Sequence, residues 1–340
     1  MNIGIAGLGL YIPDGRMTAK EIAKATNGVW TEEAVINKLG IVQKAMPLEG
    51  DGTQEMGVRA ALDALEDAKM SPLEIDVILC IGEEWKEYPL TTSALYIQGQ
   101  IGATNAWGID VQNRCCTTIS AMKMAKDMLL ADEEVNVIMI VGGYRNGDFV
   151  DFADPNLSMM YNLSAGGGAL ILKKGLKKNL LLGSHIKADG SFARDAGVEI
   201  GGINQPFTKE NIEEGYKSLR IMNPQHMKDG LNKVSMANWY ECIDKALAKS
   251  NLTREDIDYC GILHFKKSMH NLMLSDLGLT EDQSIYLSDY GHMGQIDQIL
   301  ILKLAEKEGK LKEGSIVLLI AAGIGYVWSA NVIRWGEQLR

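Results

Sequence analysis

The sequence has few of the features that mark membrane, secreted or zinc-binding proteins. No apolar run reaches the length of about 18–20 residues that a transmembrane helix needs, so we expect no membrane-spanning segment. The N-terminus lacks the basic stretch of a signal peptide and begins like a strand, which predicts a protein that is not secreted. The 5 cysteines include no CxxC pair, so the sequence offers no zinc framework and suits the reduced cytoplasm.

Positive charge is also in short supply. The chain has 34 lysines and arginines against 44 aspartates and glutamates, which gives a net charge of −10. A chain of this charge repels a phosphate backbone, which argues against a nucleic acid as its main partner. Its 46% hydrophobic and 23% charged residues are ordinary for a globular protein, and 340 residues allow two domains or one large duplicated domain.

A glycine motif near the N-terminus is incomplete as a dinucleotide site. Gly7 and Gly9 are not followed by the third glycine of a GxGxxG motif. Pro13 would also stop the helix on which the phosphate has to rest. We therefore expect no Rossmann-type nucleotide cofactor.

What the sequence does contain is a weak internal repeat. Matching strand patterns follow Asp76 and Asp258, each of which comes after an isoleucine, and these positions lie 182 residues apart. Two further matching strands end near Gly142 and Gly323, 181 residues apart. Apolar strands that alternate with helical segments indicate a parallel or mixed sheet covered on both faces. The sequence therefore predicts an α/β fold of two related halves, an αβαβα sandwich.

Cys115 is the strongest candidate for a chemically active residue. It lies between a predicted strand at 106–111 and an amphipathic helix that runs from about Thr117 to Leu130. Unpaired backbone N–H groups and the helix dipole at such a junction favour the thiolate, which is the nucleophilic form. The competing interpretation is a small buried apolar residue, since free cysteine is among the most buried residue types.

Two histidines of the second half are expected to approach Cys115. The equivalent strand-to-helix turn there contains His292 between glycines, and His264 ends another predicted strand. Ligands of α/β sheets bind at the carboxyl ends of strands, so the duplication predicts that these side chains converge. His264 taken alone would more often be a core histidine, whereas the glycine-rich loop of His292 is an unusual place for a packing residue.

A thiolate close to imidazole rings suits nucleophilic acyl transfer, in which the sulfur attacks a thioester and holds the acyl group. The turn of Gly323, Ile324 and Gly325 follows a buried strand and would present backbone N–H groups to the tetrahedral oxyanion. The alternative for both glycines is turn geometry alone.

These residues resemble the thiolase superfamily, in particular its ketoacyl-ACP synthase III and hydroxymethylglutaryl-CoA synthase branch. The resemblance covers nearly the whole chain and rests on four segments: Gly7-x-Gly9-x-Tyr11-Ile12-Pro13, Leu39-Gly40-Ile41, Asp110-Val111 ahead of Cys115, and Gly323-Ile324-Gly325-Tyr326-Val327-Trp328. It implies a duplicated thiolase-like αβαβα sandwich with two mixed five-stranded sheets. The first half, 1–175, would carry the cysteine, and the second, 176–340, the two histidines.

The resemblance also implies a reaction. Cys115 would take an acyl group from acyl-CoA, and His264 and His292 would bind a second thioester, whose carbanion attacks the acyl-enzyme in a Claisen condensation. His292 stands where synthase III enzymes typically have asparagine, so the set is Cys-His-His, as in the elongating ketoacyl synthases. The resemblance implies a homodimer, acyl-CoA as a partner with either CoA or an acyl-carrier protein as the carrier of the second thioester, and no cofactor apart from these substrates.

Other interpretations stay open. Glu84 falls at about the position of the general acid/base of hydroxymethylglutaryl-CoA synthase, and a Cys-His-Glu set would condense thioesters without decarboxylation. A plain acyltransferase and a catalytically silent partner subunit are further alternatives. Lys38 replaces an arginine that contacts the nucleotide in the family, and the segment 189–236 is expected to shape the substrate tunnel.

Overall fold

A computed structural model describes residues 1–337 of the chain. In this part the strands are β1 Ile3–Tyr11, β2 Gly15–Thr18, β3 Gln43–Met46, β4 Val77–Cys80, β5 Trp107–Asp110, β6 Val137–Tyr144, β7 Gly166–Lys174, β8 Lys178–Ala188, β9 Ala196–Val198, β10 Leu219–Ile221, β11 Tyr259–Ile262, β12 Ile316–Gly323 and β13 Val327–Glu337. The α-helices are α1 Ala19–Ala25, α2 Glu32–Ala34, α3 Thr53–Ala68, α4 Ser93–Ile101, α5 Thr117–Ala131, α6 Ile212–Gly215, α7 Pro224–Ala248, α8 Lys267–Asp276 and α9 Asp297–Lys307.

The repeat seen in the sequence reappears in the strand pairing. The first half has the strand order β5-β4-β6-β7-β1, and the second has β11-β12-β13-β8. In the first half β4 pairs with β6 in parallel, and the β6–β7 and β7–β1 pairs are antiparallel. The strands β11, β12, β13 and β8 repeat this alternation in the same order. Both halves are therefore mixed sheets of one design.

Helices α5 and α9 form a layer that both halves share. Helix α5 contacts β6 and β7 of the first half and β8, β12 and β13 of the second, while α9 contacts β1 and β7 as well as β11 and β12. Helix α3 covers the outer face of the first sheet, and α7 covers that of the second. This arrangement confirms the predicted αβαβα sandwich. The division of the chain at 1–175 and 176–340 stays a prediction.

The strand count of the second sheet differs from the predicted five. Among residues 1–337 this sheet has four strands, because the segment before His292 bonds elsewhere. The backbone N–H groups of Val42 and Gln43 both donate to Ser288 O, and Ala45 N donates to Tyr290 O. The segment before His292 thus forms backbone hydrogen bonds with residues around β3 and does not add a fifth strand to the sheet.

The two sheets are also joined by strand pairing at one residue pair. Gly4 in β1 pairs with Leu180 in β8, which joins the ladders into one series of nine strands within the described residues. A Cβ atom at position 4 would lie 2.2 Å from Lys178 O. Glycine is therefore what allows the two halves to approach at this point.

The glycine motif near the N-terminus serves helix packing. Gly9 lies in β1 under helix α3, and a Cβ atom there would come within 2.0 Å of Ala60 O. Close contact between strand and helix accounts for this glycine without any phosphate.

None of the helices within residues 1–337 is both long and apolar enough to cross a bilayer.

Candidate active site

Cys115 lies in a short 3-10 turn, Arg114–Cys116, between β5 and α5. Thr117 fixes the turn, because its hydroxyl oxygen accepts a hydrogen bond from Asn113 N at 2.8 Å and its hydroxyl donates to Arg114 O. Arg114 has a φ of 51°, so the chain bends sharply just before the cysteine. The thiol is thus presented at the start of α5, as the sequence predicts.

The neighbouring cysteine has a different environment. Cys116 is fully buried and its thiol donates to Val327 O at 3.5 Å. Burial raises the pKa of Cys116 well above its ordinary value, so this sulfur stays a thiol. Cys115 is only partly buried and is the reactive candidate of the pair.

His292 lies directly beside Cys115. Its Nε2 is 3.1 Å from the Cys115 sulfur, and its Nδ1 is 2.6 Å from Asp297 Oδ2. Burial alone would lower the pKa of His292, but the carboxylate of Asp297 and then the sulfur of Cys115 outweigh it and raise that pKa well above its ordinary value. The ring is therefore an imidazolium that donates to the sulfur on one side and to Asp297 on the other. An imidazolium in this position stabilises a thiolate.

Asp297 is the residue that the sequence reasoning missed. It is completely buried at the first position of α9, and it accepts hydrogen bonds from the backbone N–H groups of His264 at 2.7 Å and Met293 at 2.8 Å. One carboxylate therefore holds the ring of His292 and the backbone of His264 together. The sequence signal for it was weak, because an acidic residue in the first turn of a helix is common on electrostatic grounds alone.

His264 is buried and uncharged. Burial lowers the pKa of His264 to about 4, so the ring is neutral at pH 7. The side-chain NH₂ of Asn162 lies 2.9 Å from His264 Nδ1 and also donates to His264 O at 3.3 Å. Since that NH₂ can only donate, Nδ1 must accept, and the proton of His264 sits on Nε2, which lies 3.3 Å from Gly40 O.

The site thus contains two histidines in opposite states. His292 is charged and faces the sulfur, whereas His264 is neutral and carries a donor N–H on Nε2. His264 joins the Cys115–His292 pair through its backbone bond to Asp297. Pairs of titratable groups whose pKa values are pushed apart are the usual basis for separate roles in catalysis.

The glycine turn predicted to hold the oxyanion lies against the nucleophile. Gly323 ends β12, and a Cβ atom on it would lie 3.1 Å from Cys115 N. The turn of Gly323, Ile324 and Gly325 therefore borders the backbone N–H of Cys115. Its role as an oxyanion hole stays a prediction.

The strand-end glutamates are placed differently from the expectation for Glu84. The Glu84 side chain is 73% exposed and only approaches Arg114 at 3.8 Å. Glu83 is the buried one, and it accepts a hydrogen bond from Arg114 Nη1 at 2.7 Å. Burial raises the pKa of Glu83, against the opposing effect of Arg114.

Lys38 is exposed on the π-helical turn Val35–Leu39. This turn borders a surface cavity of about 520 Å³, whose lining includes Glu32 and Glu33. Lys38 itself does not line this cavity. Its contact with a nucleotide stays a prediction.

The segment 189–236 contains the separate two-stranded sheet of β9 and β10, helix α6 and the first half of α7. Ile203 and Phe207 of this segment are exposed. Its predicted role in shaping a tunnel stays a prediction. No cluster of three or more metal-ligating side chains occurs in residues 1–337.

Two family models match the parts of the chain that carry these residues. A model described as 3-oxoacyl-[acyl-carrier-protein] synthase III matches 109–190, which includes Cys115. A model described as the C-terminal part of the same synthase matches 247–335, which includes His264 and His292.

Similar proteins of matching length are known. The beta-ketoacyl-[acyl-carrier-protein] synthase III of Azobacteroides pseudotrichonymphae is 26% identical over 339 residues, with 98% of this chain and 97% of the relative covered. That of Syntrophomonas wolfei is 26% identical over 343 residues, with 99% of each covered.

Solved structures share the fold over nearly the whole chain. The 3-oxoacyl-[acyl-carrier-protein] synthase III of Aquifex aeolicus superposes with a TM-score of 0.83 at 22% identity, covering 98% of this chain and 100% of the other. A variant of OleA from Xanthomonas campestris superposes with a TM-score of 0.82 at 17% identity, covering 98% of each chain. The chain therefore belongs to the beta-ketoacyl-ACP synthase III-like branch of the thiolase superfamily.

Proposed function

We propose that this condensing acyltransferase loads an acyl group from acyl-CoA onto Cys115 and then joins it to a second thioester. One observation carries the proposal: Cys115 Sγ is 3.1 Å from His292 Nε2, and His292 Nδ1 is 2.6 Å from Asp297. That set is the arrangement of an activated nucleophile, a base and an orienting carboxylate.

The first step is acyl transfer to the sulfur. The Cys115 thiolate attacks the thioester carbonyl, a new C–S bond forms, and the oxyanion is held by backbone N–H groups of Cys115 and the Gly323 turn. The C–S bond to CoA then breaks, and the proton on His292 Nε2 goes to the departing thiolate. Asp297 stays bound to Nδ1, so His292 takes up a new proton once the product thiol has left.

The second step forms the carbon–carbon bond. Nε2–H of His264, once it leaves Gly40 O, and Nε2–H of the recharged His292 donate to the carbonyl of the second thioester and stabilise its enolate. Where that thioester carries a carboxyl group on its α-carbon, loss of carbon dioxide leaves the electron pair on that carbon. The carbon attacks the acyl group, and the bond to Cys115 breaks to restore the thiolate. The exposure of Glu84 favours this route over one that uses that glutamate as the base.

Intact-mass measurement tests the proposal. After incubation with a panel of acyl-CoAs, the wild-type chain is expected to gain the mass of one acyl group, and Cys115→Ala is expected to gain none. Cys116→Ala is the matched control, because it removes the adjacent buried thiol, and it should still be acylated. If no donor acylates the wild-type chain, the silent-subunit interpretation replaces the proposal.

We infer that the second thioester is carried by an acyl-carrier protein and that no cofactor is needed beyond these substrates. The names of the two similar proteins support the carrier, since each is called a beta-ketoacyl-[acyl-carrier-protein] synthase III. We also propose a cytoplasmic location, in keeping with five cysteines that are all free thiols.

We propose a homodimer formed through strand β5. This strand is the outer strand of the first sheet, and its Trp107 and Ile109 are 52% and 45% exposed. An unpaired edge with apolar side chains is a template for pairing with a second copy of the same strand. Trp107→Lys is expected to shift the wild-type dimer to a monomer in light scattering coupled to gel filtration, whereas Leu272→Lys, at an exposed leucine in α8 of the second half, should stay dimeric. A monomeric wild type would contradict the proposal.

A further inference from the structure

Lys44 in β3 carries a buried amine that the reaction above does not use. Its side chain is completely buried, and its Nζ donates to Tyr161 O at 2.9 Å and to Leu163 O at 2.7 Å. The ring of Phe152 lies 4.8 Å from Nζ. Burial lowers the pKa of Lys44 to about 7, and the carboxylate of Asp148 acts against that shift. Ammonium groups are rarely buried to this extent.

The two carbonyls that Lys44 binds lie on either side of Asn162, which contacts both histidines. Asn162 O accepts a hydrogen bond from His292 N at 2.7 Å, and the Asn162 side chain lies 2.9 Å from His264 Nδ1. The next residue but one, Ser164, donates its N–H to His292 O at 3.0 Å. The segment 161–164 therefore holds the backbone of His292 and sets the tautomer of His264.

We propose that Lys44 is a positioning residue for both histidines. Its Nζ binds the carbonyls of Tyr161 and Leu163 and thereby keeps Asn162, which lies between them, in contact with His264 and His292. The inference rests on the proposed function for what the two histidines do. Without the ammonium, two buried carbonyls lose their donors, and a buried acceptor without a partner is costly. The segment would then rotate to find other partners, and Asn162 would move away from His264.

The role of the Lys44 side chain can be tested separately from the fold, because the residues around it are also held by backbone hydrogen bonds. Ala45 N donates to Tyr290 O at 3.0 Å, and Ala165 N donates to Ala45 O at 3.1 Å. Neither bond uses a side chain, so both persist when residue 44 is replaced. We therefore expect the effect of a substitution to be concentrated on residues 161–163.

The test compares Lys44→Met with a matched control, Lys126→Met. Lys126 also donates to two backbone carbonyls, Leu181 O and Leu182 O, but on strand β8. With ¹⁵N-labelled histidine, long-range ¹H–¹⁵N spectra report the tautomer of each of the 5 histidines. His264 is assigned from its missing signals in His264→Gln.

Wild type and Lys126→Met are expected to show His264 protonated on Nε2 alone, and Lys44→Met a mixture of both neutral tautomers. The kcat of condensation should fall roughly 10–100-fold in Lys44→Met, because a displacement of about 1 Å in a catalytic group has effects of that order. The KM for acyl-CoA is expected to change little. Lys126→Met should keep the kcat of wild type.

A second variant keeps the proposal falsifiable if Lys44→Met does not fold. Asn162→Leu leaves Lys44 and its two carbonyl bonds in place and removes only the link to His264, so it should produce the same mixture of tautomers. An unchanged His264 tautomer in either folded variant overturns the proposal. A tautomer change in a protein that never becomes acylated would reject the proposed function and leave the positioning role standing.

Discussion

Asp297→Asn is expected to lower the rate of acyl transfer to Cys115 by about 10³–10⁴-fold at pH 7, the effect typical of neutralising the carboxylate of a catalytic triad. Asp297 accepts from His292 Nδ1 at 2.6 Å and from the backbone N–H groups of His264 and Met293. An asparagine has one oxygen for these three donors, and its NH₂ would oppose an N–H on Nδ1. The ring of His292 would then lose its charge, its tautomer or its place beside the sulfur.

Rapid-quench acylation followed by intact-mass measurement gives this rate directly. Asp289→Asn is the matched control, since Asp289 is an exposed aspartate three residues before His292, and it is expected to react like wild type. A loss of less than tenfold in Asp297→Asn would show that His292 does not need its carboxylate. The structure would then overstate the role of that contact.

His292→Asn is expected to change the pH dependence of the nucleophile. The pKa of His292 is raised in the folded chain by Asp297 and the Cys115 sulfur, despite burial. The imidazolium that stabilises the thiolate is therefore present throughout the neutral range and is lost only as pH rises through that raised pKa. Alkylation of Cys115 by iodoacetamide should accordingly depend less on pH between 6 and 8 in wild type than in His292→Asn.

At pH 7 the same alkylation rate in His292→Asn should be about 10–100-fold below wild type, because the imidazolium beside the sulfur is absent. Asparagine keeps an N–H donor for a thioester carbonyl, so the variant should lose more in acylation than in the later condensation step. His270→Asn controls for the loss of a buried histidine, because His270 contacts Ser284 and lies outside the Cys115–His292–Asp297 set. Identical pH profiles for wild type and His292→Asn would contradict the assigned pairing.

The sequence predicts those parts of the fold that are marked by the internal repeat of strand patterns. Matched strands at offsets of 182 and 181 residues predict two halves with one pairing scheme, and β4-β6-β7-β1 and β11-β12-β13-β8 have that scheme. The absence of a fifth strand from the second sheet of the described residues was not predictable in this way. The segment before His292 bonds to residues near β3, and a backbone contact between distant segments leaves no mark in local periodicity.

The candidate site is likewise predictable from the sequence only where the internal repeat determines the contact. Cys115 and His292 lie at equivalent strand-to-helix turns, so the repeat predicts that they approach each other, and they do so at 3.1 Å. Asn162 is 102 residues from His264 in sequence, and nothing near it suggests that contact. Glu83 and Glu84 are adjacent and chemically alike, so only the direction of the chain decides which is buried. Contacts of this kind depend on side-chain direction in the assembled fold.

The residues linked through Asn162 are encoded in both halves of the gene. Lys44 and Asn162 are encoded in its first half, whereas the rings they support are encoded in its second. Neither half expressed alone would have a complete active site, even if it kept its sheet. A chain cut between β7 and β8 would regain chemistry only when its pieces dock, because Cys115, Lys44 and Asn162 come from one piece and the two histidines with Asp297 come from the other.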